Sequence, residues 1–244
     1  MNDVTPQRAL PPRLIAVLRL LITVGLPVFL VLSGVRLVMS ETFLQIEYNR
    51  PGFPADRYGF TREDRLRYAP YAIEYLRSDA GISYLGDLEL DGEPMYTPKE
   101  LRHMEDVKAV TRLALAVHTA LSILLLLSVI ALAWQPATRH ALRQGLFEGG
   151  LFTLLLIVTL VIVVVASWDF FFTGFHRLFF EGDSWQFSTR STLIRLFPER
   201  FWFDAALAIG LFTVVGVLAA IGIAWGWERQ ARRRETPPAE PTAS

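Results

Sequence analysis

The apolar residues of this chain fall into four long blocks. The first, LIAVLRLLITVGLPVFLVLSGV, runs from Leu14 to Val35, and the second, VTRLALAVHTALSILLLLSVIALAW, from Val110 to Trp134. The third extends from Leu146 to Trp168 around LLLIVTLVIVVVAS, and the fourth from Phe203 to Trp227. A helix needs about 20 apolar residues to cross ~30 Å of hydrocarbon, and each block reaches that length. Trp134, Trp168, Trp202, Trp225 and Trp227 stand at or near the block ends, where an interfacial aromatic belt belongs. The pattern predicts an all-α polytopic membrane protein, residues 1–244 forming a single membrane domain with four transmembrane helices.

Two polar stretches separate these blocks, 36–109 and 169–202, and both read as mostly helical. In the first, Thr61 caps an amphipathic run in which Leu66, Ile73 and Leu76 recur near helical spacing. Pro70 lies inside that run and is expected to kink or split it. Asp91-Gly92 has turn chemistry and allows a β-hairpin. In TPKELRHMEDVK, Thr97 is an N-cap, Pro98 sits at N1 and Glu100 at N3, which completes a capping box. The helix that starts there is expected to run straight into the second block. In the second stretch, Ser191 to Phe197 is expected to form a short helix lying in the membrane interface, ended by Pro198.

Charge sets the orientation. Arg8, Arg13 and Arg19 flank or enter the first block, Arg139 and Arg143 lie between the second and third, and Arg229, Arg232, Arg233 and Arg234 follow the fourth. In a four-span layout these segments share one side, which the positive-inside rule makes the cytoplasm. Both termini are then cytoplasmic, the protein sits in the cytoplasmic (inner) membrane, and 36–109 and 169–202 are extracytoplasmic loops. The first block is long for a signal peptide and no small-x-small site follows it, so it reads as a retained anchor. The Pro-rich tail from Thr236, residues 236–244, reads as disordered.

Composition narrows the function. Of 244 residues 52% are hydrophobic, the formal net charge is zero and there is no cysteine. Scattered basic residues give no nucleic-acid partner. Without cysteine there is no disulfide, thiolate metal ligand or thiol nucleophile. Nucleophile-elbow, zinc-protease and phosphate-loop motifs are all absent, and no cofactor is expected. Gly145/Gly149 and Gly222/Gly226 match Gly-x-x-x-Gly, a signature of close helix packing.

The remaining chemistry lies with the histidines. His103 stands in the second turn of the helix that begins at Pro98, with Glu100 and Asp106 one turn to either side. Either acid is a candidate to fix its tautomer, although Glu100 is already explained by its cap. His176 follows the third block within an unusually aromatic stretch. Span counting brings His103 and His176 to the same membrane face at similar depth. His118 falls inside the second block and His140 on the opposite side. No cluster has metal-ligand spacing within one helix, so no metal is expected.

HMEDVK, from His103 to Lys108, and GFHRLFFEGDSWQFSTRSTLIRLFPERFW, from Gly174 to Trp202, resemble the bacterial lipoprotein intramolecular acyltransferase (Lit) family. The shared pattern is His-Met-x-Asp-Val-Lys before the second span, then a histidine, an aromatic run, Gly-x-x-Trp-x-Phe, Leu-Ile and Pro-x-x-Phe before the fourth. One departure is Arg190-Ser191-Thr192, where the family often has an acid just before Leu-Ile. The resemblance implies transfer of an acyl chain from the sn-2 glycerol ester of a diacylglyceryl lipoprotein to the α-amine of its N-terminal cysteine, at the outer face of the cytoplasmic membrane. The partners implied are membrane lipid and a lipid-anchored lipoprotein. The catalytic residues implied are His103 as general base, Asp106 as its orienting partner and His176 as acid or oxyanion donor, with the histidine roles exchangeable. Lys108, Arg177, Trp185 and Phe187 are implied in substrate binding. Two other readings stand beside this one: a non-catalytic membrane protein that binds lipid or a partner protein through its outer loops, and a metal-dependent membrane hydrolase.

Overall fold

A computed structural model of the protein describes residues 10–235. Arg8, the tail 236–244 expected to be disordered, and the side chains of Arg232, Arg233 and Arg234 lie outside the described residues. The elements in chain order are α1 (Pro12–Val38), α2 (Glu41–Tyr48), α3 (Arg62–Arg77), α4 (Ser83–Gly86), β1 (Glu89–Leu90), β2 (Glu93–Pro94) and α5 (Pro98–Trp134). After a 3-10 turn at Pro136–Thr138 come α6 (Arg139–Ala166), α7 (Trp168–Phe179), α8 (Thr192–Leu196) and α9 (Glu199–Glu235).

Four stretches, Pro12–Val38, Pro98–Trp134, Pro136–Ala166 and Glu199–Trp227, are long and apolar enough to cross a membrane. The protein is an all-α, multi-pass membrane protein whose connecting segments are themselves mostly helical. Its long helices expose large apolar side chains such as Leu20, Leu113, Leu155 and Leu211. Water would penalise that exposure, whereas lipid tails do not. The third apolar helix begins at Arg139, earlier than the hydropathy block, and ends at Ala166. Ser167 leaves helical geometry, so Trp168 opens α7 instead of closing α6.

The chain forms two compact units. One takes in residues up to Leu30, Ala120–Leu156 and those from Thr213; the other takes in Val31–Thr119 and Ile157–Phe212. In the first unit, Ile22, Leu125, Leu132 and Leu142 form one apolar cluster. Gly145 and Gly149 lie flush against α1. A Cβ at Gly149 would stand 3.1 Å from Thr23 Cα and 3.2 Å from Ile22 O, so the small residues permit the close approach. Gly222 and Gly226 share that spacing, yet nothing lies within 4 Å of a Cβ there. Their spacing therefore marks no packed interface among the described residues. Arg19 donates to Glu148 at 2.9 and 3.2 Å and to Gln144 at 2.9 Å.

The second unit contains the connecting segments and holds a core of its own. Phe43, Leu44, Tyr48, Ala69, Tyr75, Leu85, Met104, Leu196 and Phe201 are buried together. α3 runs through Pro70 as a single helix, because the Thr61–Asp64 capping box secures its start and Ala69, Ala72, Ile73 and Tyr75 are buried along it. The lost hydrogen bond at Pro70 is outweighed by that packing. Asp91 and Gly92 have φ of 56° and 81° between the paired strands β1 and β2, the backbone of a two-residue hairpin turn. α8 buries Thr192, Leu193 and Leu196. Leu193 and Leu196 thereby join the core of this unit.

Candidate functional site

Glu100 is the residue that organises the site. Its Oε2 accepts from Thr97 N at 2.9 Å and from Thr97 Oγ1 at 2.8 Å, while Thr97 Oγ1 accepts from Glu100 N at 3.3 Å. This is the capping box seen in the sequence. Its second oxygen has another task, accepting from Leu193 N in α8 at 2.9 Å. Thr192 Oγ1 also donates to Met95 O. One fully buried carboxylate therefore starts α5 and ties α8 to that start, which fixes the segment between α7 and α8 against the first turns of α5. Lys99 adds a tether, donating to Gln186 O at 3.0 Å while its ammonium stands 5.5 Å from the Phe187 ring centre.

Two histidines meet there. The rings of His103 on α5 and His176 on α7 are stacked, with centres 6.5 Å apart and planes inclined by 22°. Aromatic rings enclose the pair. Phe180 and Phe187 present edges to His103 at 5.0 and 5.3 Å. Phe172, Trp185 and Phe180 stand 4.1, 4.7 and 5.7 Å from His176. His103 is buried and His176 half-buried.

The two rings differ in their hydrogen bonds. His176 Nδ1 donates to Phe172 O, one helical turn back, at 2.7 Å. A carbonyl can only accept, so Nδ1 carries the proton and the neutral ring presents a lone pair at Nε2. Among the described residues His103 Nδ1 is buried with no hydrogen-bond partner, and so is Trp185 Nε1. His103 stands in the polar first turns of α5, ahead of the mostly apolar residues 110–134 that form its membrane-crossing part, and His176 stands in α7, after α6. Burial, assisted by the neighbouring His176 and Lys99, pushes His103 down to about 4. Burial also lowers His176, with the bond to Phe172 opposing the shift. At neutral pH both rings are uncharged.

The other expected site residues are placed differently. Asp106 is exposed, and among the described residues no hydrogen bond joins it to His103. It lines an open cavity of about 560 Å³ with Lys99, Arg102, Glu105, Asp183 and Ser184. Three residues on, it stands only about 60° round the helix from His103, yet on the exposed flank of that buried face. Lys108 is buried; its ammonium donates to Ala80 O and lies 3.9 Å from the Tyr75 ring centre. It holds the segment after α3 against α5. Arg177 is exposed next to His176. Trp185 and Phe187 do meet the histidines, as given above. His118 contacts Ser33 at 2.9 Å and Arg36 at 3.4 Å, and His140 is exposed. Among the described residues no group of three or more His, Cys, Asp or Glu is arranged to hold a metal ion.

Sequence reading missed Phe172, whose carbonyl sets the His176 tautomer, and Phe180, which touches both rings. The signal for each was spacing: Phe172 and Phe180 stand four residues before and after His176, one turn away if the segment is helical.

A family model described as lipoprotein intramolecular transacylase Lit matches residues 20–202. An uncharacterised protein of Aquifex aeolicus is 32% identical over 185 residues, 75% of this chain and 82% of that one. The in meso structure of the membrane integral lipoprotein intramolecular transacylase Lit from Bacillus cereus superposes with a TM-score of 0.77 at 20% identity, covering 91% of this chain and 100% of that one. Two further structures of the Bacillus cereus protein, with one histidine replaced by arginine or by alanine, superpose at TM-scores of 0.69. They too are 20% identical and cover 91% of this chain and 95% and 96% of their own. At that identity the likeness concerns the fold.

Proposed function

Because the chain belongs to the lipoprotein intramolecular transacylase family, we propose that it moves an acyl chain from the sn-2 glycerol ester of a diacylglyceryl lipoprotein to the α-amine of the lipoprotein's N-terminal cysteine. The observation that carries this reading is the pair of neutral imidazoles, 6.5 Å apart in an aromatic cage. An α-amine has a pKa near 8 and needs a nearby base to complete its deprotonation as it attacks an ester. His176 is the better oriented base, since its Nε2 lone pair is fixed by the bond from Nδ1 to Phe172 O. It takes the amine proton and returns it to the departing glycerol oxygen. His103, depressed further, stays neutral and positions the amine by hydrogen bonding. This exchanges the roles first expected for the two histidines. Both reacting groups belong to one lipid-anchored molecule, so the enzyme contributes chiefly orientation, and no acyl-enzyme is required. Arg177, beside His176, and Trp185 and Phe187, in the cage, are substrate-binding residues in this reading.

The flanking arginines favour an outer-face site, with both termini in the cytoplasm and the protein in the cytoplasmic membrane. Asp106 and the cavity it lines then face the water from which the peptide part of the lipoprotein approaches. The test is mass spectrometry of lipoproteins from a bacterial host expressing the chain. Wild type converts diacylglyceryl lipoprotein to the N-acyl lyso-form, whereas His176→Ala and His103→Ala leave it unconverted. Absence of the lyso-form with wild type overturns the proposal. Its formation by both variants at the wild-type level overturns the site.

A further inference from the structure

The aromatic cage contains one obligatory donor that the two histidines leave unused. Trp185 Nε1 is buried and, among the described residues, without a hydrogen-bond partner. An indole N–H can only donate, and buried tryptophans ordinarily find an acceptor for it. The ring packs against His176 at 4.7 Å and against Phe172 at 6.3 Å, so it is held within the cage with its N–H idle. An unsatisfied donor beside a proposed base is accounted for by an acceptor that arrives with the substrate.

The nearby cations already make other contacts or stand in solvent. Lys108 is bound to Ala80 O, Lys99 donates to Gln186 O and Arg177 is exposed. His103 Nδ1, also buried and unpartnered among the described residues, belongs to a neutral ring that can present either a donor or a lone pair. We propose that the Trp185 indole N–H is the catalytic hydrogen-bond donor to the ester carbonyl oxygen of the substrate, which rests on the acyl-transfer reading above. In the transfer, the amine nitrogen bonds to the ester carbonyl carbon and the carbonyl π pair moves onto oxygen. The Trp185 N–H meets that negative oxygen. The pair then returns, the bond from carbon to the glycerol oxygen breaks, and the glycerol oxygen takes the proton that the amine gave to His176. Nothing is oxidised or reduced, and Trp185 keeps its proton throughout. A donor of this kind acts chiefly on the transition state, where the oxygen carries charge.

The experiment uses the full chain, purified, with a synthetic diacylglyceryl lipopeptide. Trp185→Phe removes the N–H and part of the ring. Replacement of Trp185 by 3-benzothienylalanine keeps the bicyclic shape and puts sulfur where the N–H stood. Both changes should lower kcat about 10²–10³-fold, as loss of one such donor does elsewhere. KM should stay within about threefold, and the melting temperature and the acid limb of the pH profile should be unchanged in the benzothienyl protein. If that protein turns over like wild type while Trp185→Phe is impaired, Trp185 serves only as packing for His176 and the inference fails. Transfer by wild type that survives the benzothienyl replacement overturns the Trp185 assignment alone. Absence of transfer by wild type overturns the acyl-transfer reading and this inference with it.

Discussion

Removing Glu100 should do more than uncap a helix. The side chain is 1% exposed and accepts from Thr97 N, Thr97 Oγ1 and Leu193 N. Glu100→Ala forfeits the bonds from Thr97 to Glu100 Oε2, the reciprocal half of the capping box, worth about 1 kcal/mol, and strands the buried Leu193 N–H, which costs about 1–3 kcal/mol. The total is about 2–4 kcal/mol. For a chain of this length that corresponds to a fall of about 4–16 °C in melting temperature, read by thermal unfolding of the purified protein in detergent. Glu100→Gln is the sharper variant. It keeps the shape but offers one oxygen, so either the cap or Leu193 loses its acceptor and the amide NH₂ faces an N–H. Its loss should be about half that of Glu100→Ala. Because Leu193 anchors the segment carrying Trp185 and Phe187, turnover per folded molecule should also fall. If Glu100→Ala melts within 1 °C of wild type and turns over normally, the tether between α5 and α8 does not hold the site as described.

Other expectations concern packing, charge and pH. Gly149→Ala should destabilise the protein by about 1–3 kcal/mol, because the new methyl meets backbone atoms of α1 at 3.1–3.2 Å; Gly222→Ala, with open space around it inside α9, should melt at or slightly above wild type, since alanine favours helix over glycine. Lys108→Met should cost about 1–3 kcal/mol through the lost bond to Ala80 O and the lost contact with Tyr75, while KM of the folded fraction stays unchanged; a raised KM would return Lys108 to the substrate site. Both histidines titrate below 6.5 in the folded protein, so the unfolded chain binds more protons in that range. Their stabilising effect is complete above pH 6.5 and declines as pH falls toward about 4. Activity, which needs an unprotonated His176, should fall in the same direction. Melting curves from pH 8 to 4 should show a shallower acid loss in His103→Phe; identical curves would contradict the burial assigned to His103.

Sequence patterning carried the fold a long way, since hydrophobic blocks of membrane length have few other uses. The start of α5 was legible because Thr97, Pro98 and Glu100 form a local code. Span counting brought His103 and His176 to one membrane face, but the meeting of their rings was not legible. What local reading could not supply was direction around a helix axis: Asp106 and Lys108 stand close to His103 in sequence, yet one points to solvent and the other into the Tyr75 packing. Nor could it show the second bond of Glu100, whose partner Leu193 is distant in the chain, or the difference between Gly145/Gly149 and Gly222/Gly226, which share a spacing and differ only in what faces them. The His176 tautomer depended on a backbone carbonyl that carries no residue-type signal.

The central claim is that the two imidazoles work as one acyl-transfer site with His176 as the proton carrier. Its most direct test is fragmentation mass spectrometry of a synthetic diacylglyceryl lipopeptide after incubation with the purified protein. The account predicts a product of unchanged mass in which the amide nitrogen of the cysteine bears an acyl chain and the sn-2 oxygen is free, absent with His176→Ala at equal folded concentration. A product of lower mass by one acyl chain, or an unchanged substrate with wild type, would contradict it.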